Sequence, residues 1–411
     1  MDDFLTWINA KNSNDWWVYA KRLSGNDTGL TGGNQVGVYI PKSVANKVLP
    51  SINTKLSKNP DCPITAKISS HSLPEQNLRG IYYNDKYHGG GRDENRITRW
   101  NSDVKGSPVQ DPENTGALAL FAFHIAAESS DADFLDVWVC RGLSEEQYVE
   151  DQIGEVVPGS WICEKGDKLF SGFVDNAGVK PSNVHIPAGW ADTFPRGEEI
   201  ISHLLRSFSW RGDTPDKLII ERREKEYNLF RQIEEIHTLH HLKNGFSSVD
   251  EFMQMANSVS NRRKSRSGRS LEIHLEYLFR QFGLEKFSTQ CQTEGKKRPD
   301  FIFPSCAAYH DQDFPESKLR MLAVKTTCKD RWRQVLNEAG RISQVHLFTL
   351  QEGVSLNQFN EMVGEGVILV VPKPLHTKYP IELREKLLTL TEFIGEINSD
   401  NTESVHGVLR F

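Results

Sequence analysis

The spacing of apolar residues changes character near the middle of the chain, and that change constrains the fold more than any other feature. Up to about residue 175 the apolar residues come in short runs suited to strands, Val36 to Ile40, Thr65 to Ser69, Ala117 to Phe123 and Val137 to Cys140, separated by Gly, Asn, Asp and Pro clusters. Such spacing predicts a small barrel or sandwich. In the second half helical periods alternate with buried strands. Thr214-Pro215 supplies a cap and a first-turn proline for a helix running to about Gly245, and Ser248 to Glu251 reads as a capping box that opens a second. Leu271, Leu275, Leu278, Phe279 and Phe282 form one apolar stripe on a third helix, over about 270–282. Strands are expected at Asp300 to Phe303, Leu319 to Lys325, Val345 to Leu350 and Val367 to Val371, with a helix over about 329–341 between the second and third. That alternation predicts an α/β layer with a mixed sheet. Residues 175–196 are rich in Gly, Pro, Asn and Ser without sustained periodicity. A multidomain chain is therefore expected, with domains at 1–175 and 201–411 and a linker at 176–200, in keeping with 411 residues exceeding one hydrophobic core.

Charge narrows the function. Lys+Arg 49 against Asp+Glu 55 leaves a net −6, which excludes a uniformly basic nucleic-acid coat but not DNA binding by a local cluster. The charge is segregated: 127–170 holds eleven acids against three bases, whereas 261–270 holds five bases, Arg262, Arg263, Lys264, Arg266 and Arg269, and no acid. That run precedes the expected third helix, which suits it to DNA phosphates as well as to a solvated face. The longest unbroken apolar run, Ala117 to Phe123, is about a third of a membrane span, so no membrane partner is expected. Met1-Asp2-Asp3 lacks the basic start of an export signal, and the six cysteines (Cys62, Cys140, Cys163, Cys291, Cys306, Cys328) form no CxxC pair. We expect reduced thiols in a cytoplasmic protein and neither a disulfide scaffold nor a zinc ribbon.

The residues suited to chemistry lie late in the chain. Pro299-Asp300 opens one expected strand, Lys325 ends another, and Glu338 follows on the expected helix, where Arg331 falls within about 20° of it at about 100° per residue. Phosphodiester hydrolysis needs such a set: two carboxylates offer hard oxygen ligands to Mg²⁺, and a lysine orients the attacking water. This is the logic of the PD-(D/E)xK nucleases, although the position of their second carboxylate, two residues before the lysine, is Ala323 here. Glu338 would have to supply it. Glu272, beside the stripe of the third helix, is a further carboxylate for a water or second metal. The same residue types at these places also occur in α/β proteins without such chemistry. Lys329, Asp330 and Arg331 carry the donors and acceptor that read C·G pairs in a major groove, or else ordinary helix-start charge. Arg223 and Tyr227, four apart, suit either an extruded base or plain surface packing.

Longer stretches are more specific. Ser247 to Gly268, Arg298-Pro-Asp-Phe-Ile-Phe-Pro-Ser305, Met321 to Gln334 and Gln344 to Leu356 resemble the EcoRII-type restriction endonucleases, as do Lys21-Arg-Leu-Ser24, Asn26 to Gly29, Thr31-Gly-Gly, Arg96 to Trp100 and Gln110 to Leu118. The resemblance spans nearly the whole chain and implies a homodimeric, Mg²⁺-dependent site-specific deoxyribonuclease cutting CCWGG before the first C, to leave 5'-phosphates. It implies a C-terminal restriction-endonuclease-like domain with Asp300, Lys325 and Glu338 as active site, Asp300 and Glu338 on the metal, and Glu272 in support. Lys329, Asp330 and Arg331 would read bases, Arg223 and Tyr227 would hold flipped bases, and Arg262, Arg263, Lys264 and Arg266 would meet the DNA backbone.

It also implies an N-terminal effector domain, a mostly-β pseudobarrel like the plant B-three DNA-binding domain. That domain would bind a second copy of the site and relieve autoinhibition. A cognate cytosine methyltransferase would act on the same site. Two segments suit its DNA contacts: Lys21 to Gln35, with Lys21, Arg22, Asn34 and Gln35, and Gly89 to Trp100, with Arg92, Glu94, Arg96 and Arg99. Both also read as plain hairpin loops. A non-catalytic DNA-binding regulator is the alternative function, and a nuclease that senses modified bases is a third.

Overall fold

The computed structural model describes residues 1–32, 37–170, 184–210, 213–329, 331–336 and 338–406, apart from the side chains of 260, 264, 267, 268 and 400–406. They fall into two compact units: Met1–Gly178 with Glu352–Asn357 and Lys378–Ile381, and the remainder. Among the described residues no helix is long and apolar enough to cross a membrane.

The first unit contains β1 (Trp16–Arg22), β2 (Val38–Ile40), β3 (Asp61–Ile68), β4 (Gln76–Tyr83), β5 (Glu94–Thr98), β6 (Leu118–His124), β7 (Phe134–Val139) and β8 (Trp161–Lys165), with helices α1 (Asp2–Lys11), α2 (Lys42–Val48), α3 (Leu143–Ile153) and α4 (Gly166–Phe170). The strands form one eight-stranded, mostly antiparallel sheet in the order β2-β5-β4-β3-β7-β6-β1-β8. A period of two explains how it is buried on both faces. On β6, Ala119, Phe121 and Phe123 enter one core with Tyr19, Val137 and Trp100. The intervening Leu118, Leu120 and Ala122 enter a second core with Phe4, Trp7 and Trp138. Ala117 to Phe123 is continuous in sequence because both faces of its strand are covered. Gly37 precedes β2 at φ 144°, where a Cβ would stand 2.7 Å from the Ile97 carbonyl oxygen, so the approach of β2 to β5 requires glycine there.

The second unit is built on α5 (Gly197–Ser207), α6 (Pro215–Asn244), α7 (Val249–Gln281) and a mixed sheet ordered β13-β12-β11-β10-β9. Its strands are β9 (Ser288–Thr289), β10 (Phe301–Phe303), β11 (Arg320–Lys325), β12 (Val345–Thr349) and β13 (Val367–Val370), with β11, β12 and β13 parallel and β10 antiparallel to β11. Helices α8 (Cys306–His310), α9 (Leu356–Gly364), α10 (Ile381–Arg384) and α11 (Leu390–His406) complete the second half of the chain. Thr214 caps α6 by accepting from the Lys217 amide, and Gly245 ends it at φ 77°. Leu271, Leu275, Leu278 and Phe279 pack with Phe301, Phe303, Leu322 and Phe348, so the stripe on α7 clamps the sheet.

Three expectations are corrected. The second and third helices are one: α7 runs 33 residues, and the basic run lies inside it rather than before it. The Arg and Ser residues there have no strong helix-breaking effect, and salt bridges to α6 carry the helix through. Where a helix was expected over 329–341, the described residues form turns around a 3-10 turn at Trp332–Gln334. Finally, Cys291 and Cys306 are disulfide-bonded, a pairing across 15 residues that leaves no CxxC spacing in the sequence. In the stretch expected to link the domains, the described part holds a 3-10 turn at Ala188–Trp190 and the start of α5.

Candidate active site

Phe301 and Phe303 are buried against α7, and this fixes β10 with Asp300 at its entry. Phe301 pairs with Leu322 of β11, and the Asp300 carboxylate accepts the Val324 amide at 2.8 Å. Lys325, the last residue of β11, places Nζ 3.9 Å from Oδ2 of Asp300. The two strand ends therefore set Asp300 and Lys325 side by side.

Glu338 joins them from a loop, not a helix. Its Oε2 is buried without a hydrogen-bond partner. Burial pushes its carboxyl up to about 7; Lys325 and Lys297 oppose this while the Asp300 charge adds to it. Burial also raises Asp300, against the pull of Lys325 and the Val324 amide. Glu272, on α7, is raised by burial and by Asp300, against Arg269 and the Gln290 side chain, whose Nε2 lies 3.3 Å from Oε2. Three carboxylates and one lysine thus share one partly buried site. Mutual repulsion and an unpartnered oxygen make it a site that a hard divalent cation fits.

A frame that no sequence pattern indicated holds the Glu338 loop. Thr293 Oγ1 donates to the Glu338 carbonyl, and Glu294 Oε2 accepts the Gly340 amide at 3.1 Å. The Tyr309 hydroxyl lies 2.7 Å from both Glu294 oxygens, while Arg341 donates to the carbonyls of Tyr309, Asp311 and Phe314. These contacts join residues 15 to 46 positions apart. Only the folded chain brings them together.

The remaining predicted residues divide into engaged and accessible ones. Lys329 is half-buried, its amide bound to Oε1 of Gln351 at 3.0 Å, and Arg331 is half-buried two residues on; Asp330 lies outside the described residues. Arg223 is buried, donating to Ser270 Oγ at 2.7 Å and to Glu226 at 3.2 Å, while half-buried Tyr227 lies under the Arg266 guanidinium at 4.7 Å. Arg266 itself is buried on Glu226, and Arg263 is held by Glu234. Arg262 lies 4.3 Å over the Phe194 ring, and the Lys264 side chain is outside the described residues. The structure therefore directs Arg263 and Arg266 toward acids of α6.

In the first unit Lys21 is buried on Asp27 at 2.7 Å, and Arg22 on Glu146, Glu150 and two carbonyls. Arg96 is buried beside Glu94, with Nη1 on the Gly37 carbonyl. Arg92 stacks on Tyr83 at 5.3 Å, and Arg99 is exposed at φ 74°. Asn34 and Gln35 lie outside the described residues.

Comparison with known proteins finds relatives of both halves of the chain. Residues 12–168 match the family described as "Restriction endonuclease EcoRII, N-terminal", and residues 230–394 the one described as "EcoRII C terminal". The chain is 49% identical over 398 residues, 97% of its length and 98% of the relative's, to the type II restriction enzyme EcoRII of Escherichia coli. Among solved structures, metal-depleted Ecl18kI in complex with uncleaved, modified DNA aligns at 19% identity over 51% of this chain and 80% of that one, with a TM-score of 0.42. The UbaLAI restriction endonuclease B3 domain with cognate DNA aligns at 20% identity over 39% of this chain and 98% of that one, with a TM-score of 0.27. On the two family matches and the near full-length identity, the chain belongs to the EcoRII family of type II restriction endonucleases.

Proposed function

We propose that this endonuclease hydrolyses double-stranded DNA at CCWGG, before the first C, with Asp300, Glu338 and Lys325 as its catalytic set and Mg²⁺ as cofactor. The observation that carries the reading is the unpartnered, buried Oε2 of Glu338 in the electrostatic reach of Asp300 and Lys325. Asp300 and Glu338 would hold the ion, and Glu272 would hold a water or second ion beside them. Bound there, Mg²⁺ supplies charge neutralisation at the phosphate and acidifies a water. Lys325, tied electrostatically to Asp300, would orient the attacking water and donate toward the phosphate oxygens. Products keep the phosphate on the 5' side.

The same reading gives Lys329, Asp330 and Arg331 the flanking C·G pairs. It gives Arg223 and Tyr227 the central bases turned out of the helix, for which Arg223 must exchange its Ser270 and Glu226 contacts. Two chains acting as a homodimer match a symmetric duplex site. The N-terminal unit then binds a second copy of the sequence and releases an autoinhibited active site, with Arg92, Glu94 and Arg99 the accessible members of the expected set. The domain division expected from sequence, 1–175 and 201–411, serves this arrangement. Protection of the host requires a cytosine methyltransferase acting on the same site.

The test is cleavage of DNA bearing several CCWGG sites with Mg²⁺, beside EDTA and Lys325→Ala controls. Discrete fragments ending at CCWGG, lost in both controls, are expected. Specific retention of the same DNA without cutting, under conditions that keep the chain folded, would refute the catalytic assignment.

A further inference from the structure

Away from the carboxylates, a second cluster of ligating side chains joins two segments that no motif connects. Cys291 follows β9, Cys306 opens α8 and His310 closes it. The two sulfurs and a ring nitrogen of His310 all lie within 4.8 Å of one another. We propose that, once the Cys291–Cys306 disulfide is reduced, these two thiolates and the His310 imidazole bind Zn²⁺, at a site distinct from the one assigned to Mg²⁺.

The donor chemistry selects the ion. Two sulfurs and an imidazole suit zinc and are poor ligands for a hard, oxygen-seeking cation. His310 Nε2 lies 3.0 Å from the Gln292 carbonyl oxygen, a contact that holds the ring beside the two sulfurs. Burial falls across the set, from buried Cys291 through half-buried Cys306 to exposed His310. Such a gradient gives an ion a route in and leaves the fourth tetrahedral position to water. The Cα atoms of the cysteines are 5.5 Å apart, so side-chain rotation alone can part the sulfurs around an ion. Opening the disulfide consumes two electrons and two protons from a thiol reductant, which leaves as its own disulfide; zinc binding then releases the thiol protons.

The site would fasten α8 to the segment Gln290 to Glu294. Gln290 donates to Glu272, and Tyr309, within α8, bonds Glu294, which holds the loop of Glu338. Zinc there would stiffen the frame of the active site without entering it.

The experiment uses the full chain, reduced by a phosphine, stripped with a chelator, and titrated with Co²⁺ under argon in excess Mg²⁺. One equivalent should bind with sulfur-to-cobalt charge-transfer absorption and tetrahedral visible bands, both bleached by Zn²⁺. The bands should persist in Asp300→Asn, vanish in Cys306→Ser, and need at least about tenfold more Co²⁺ in His310→Gln. Reoxidising the unmutated chain to the disulfide should abolish them and a second reduction restore them, an arm that depends on no variant folding. Absence of the bands from the reduced chain, their survival in Cys306→Ser or after oxidation, or an unchanged affinity in His310→Gln would overturn the proposal.

Discussion

Buried charge is handled in opposite ways by two neighbouring parts of the second unit, the α6–α7 packing and the cleft at Asp300. Between the helices each described buried acid meets a base: Glu226 accepts from Arg266 and Arg223, and Glu234 from Arg263 and Arg231. Burial acts to raise Glu226, but Arg266 and Arg223 overcome it and pull that carboxyl down to about 2. In the cleft burial wins. Glu338 is raised to about 7 with one oxygen unpartnered, and Asp300 and Glu272 are raised with it. A network that satisfies itself holds a fold together, whereas carboxylates crowded around one lysine keep capacity for a cation. The contrast separates structural from functional charge better than residue type does.

Substitutions can break that contrast. The largest effect is expected from Asp300→Asn, which should lower the cleavage rate on the order of 10³-fold while leaving thermal stability unchanged or higher, because it removes a carboxylate whose ionisation the fold disfavours. Parallel cleavage and melting measurements check both halves. Glu226→Gln should do the reverse on stability, costing about 3–5 kcal/mol in denaturant unfolding, since two buried guanidinium groups lose their counter-charge.

The pH dependence of that stability has a definite sign. Glu226 is depressed in the folded state, so its contribution is complete above about 4.5 and is lost as pH falls toward 2. Unfolding measured across that window should show the acid loss shrink in Glu226→Gln. Tyr309→Phe sharpens the role of the frame: loss of the hydroxyl on Glu294 should cost about 1 kcal/mol of stability and reduce kcat about tenfold with little change in KM. A Tyr309→Phe chain that loses stability but keeps kcat would make the frame structural only. The smallest effect belongs to Arg99→Ala, expected to weaken DNA binding by the N-terminal unit a few-fold and to lower its salt slope by about one, without the destabilisation that Arg22→Ala should bring.

Much of the fold was legible because burial imprints periodicity. The strand runs of Ala117 to Phe123 and Met321 to Lys325, the cap at Thr214 and the stripe from Leu271 to Phe279 each leave a local signal that the structure repeats. The turns over 329–341 were misread because Trp332, Val335 and Ala339 are buried at helical spacing without the backbone being helical there. Asp300 and Lys325 could be paired from their strands. Glu338 was named from an expected helix, whereas it stands in a loop whose position is set by Thr293 and Glu294 from far along the chain.

Arginines were the hardest to place. Arg22, Arg223 and Arg266 look in sequence like surface charge available to DNA, yet their partners lie 124, 47 and 40 residues away and each is buried. The amino-acid sequence by itself determined the two-part organisation, the sheet strands, the strand ends that carry Asp300 and Lys325 and, through its length of matching residues, the family. Tertiary structure alone decided which charges are neutralised inside, which carboxylate is left unpartnered, and that Cys291 meets Cys306. The reason is physical: periodicity is a local consequence of burial, whereas the state of a charged or sulfur-bearing side chain depends on groups that only folding brings within a few ångströms.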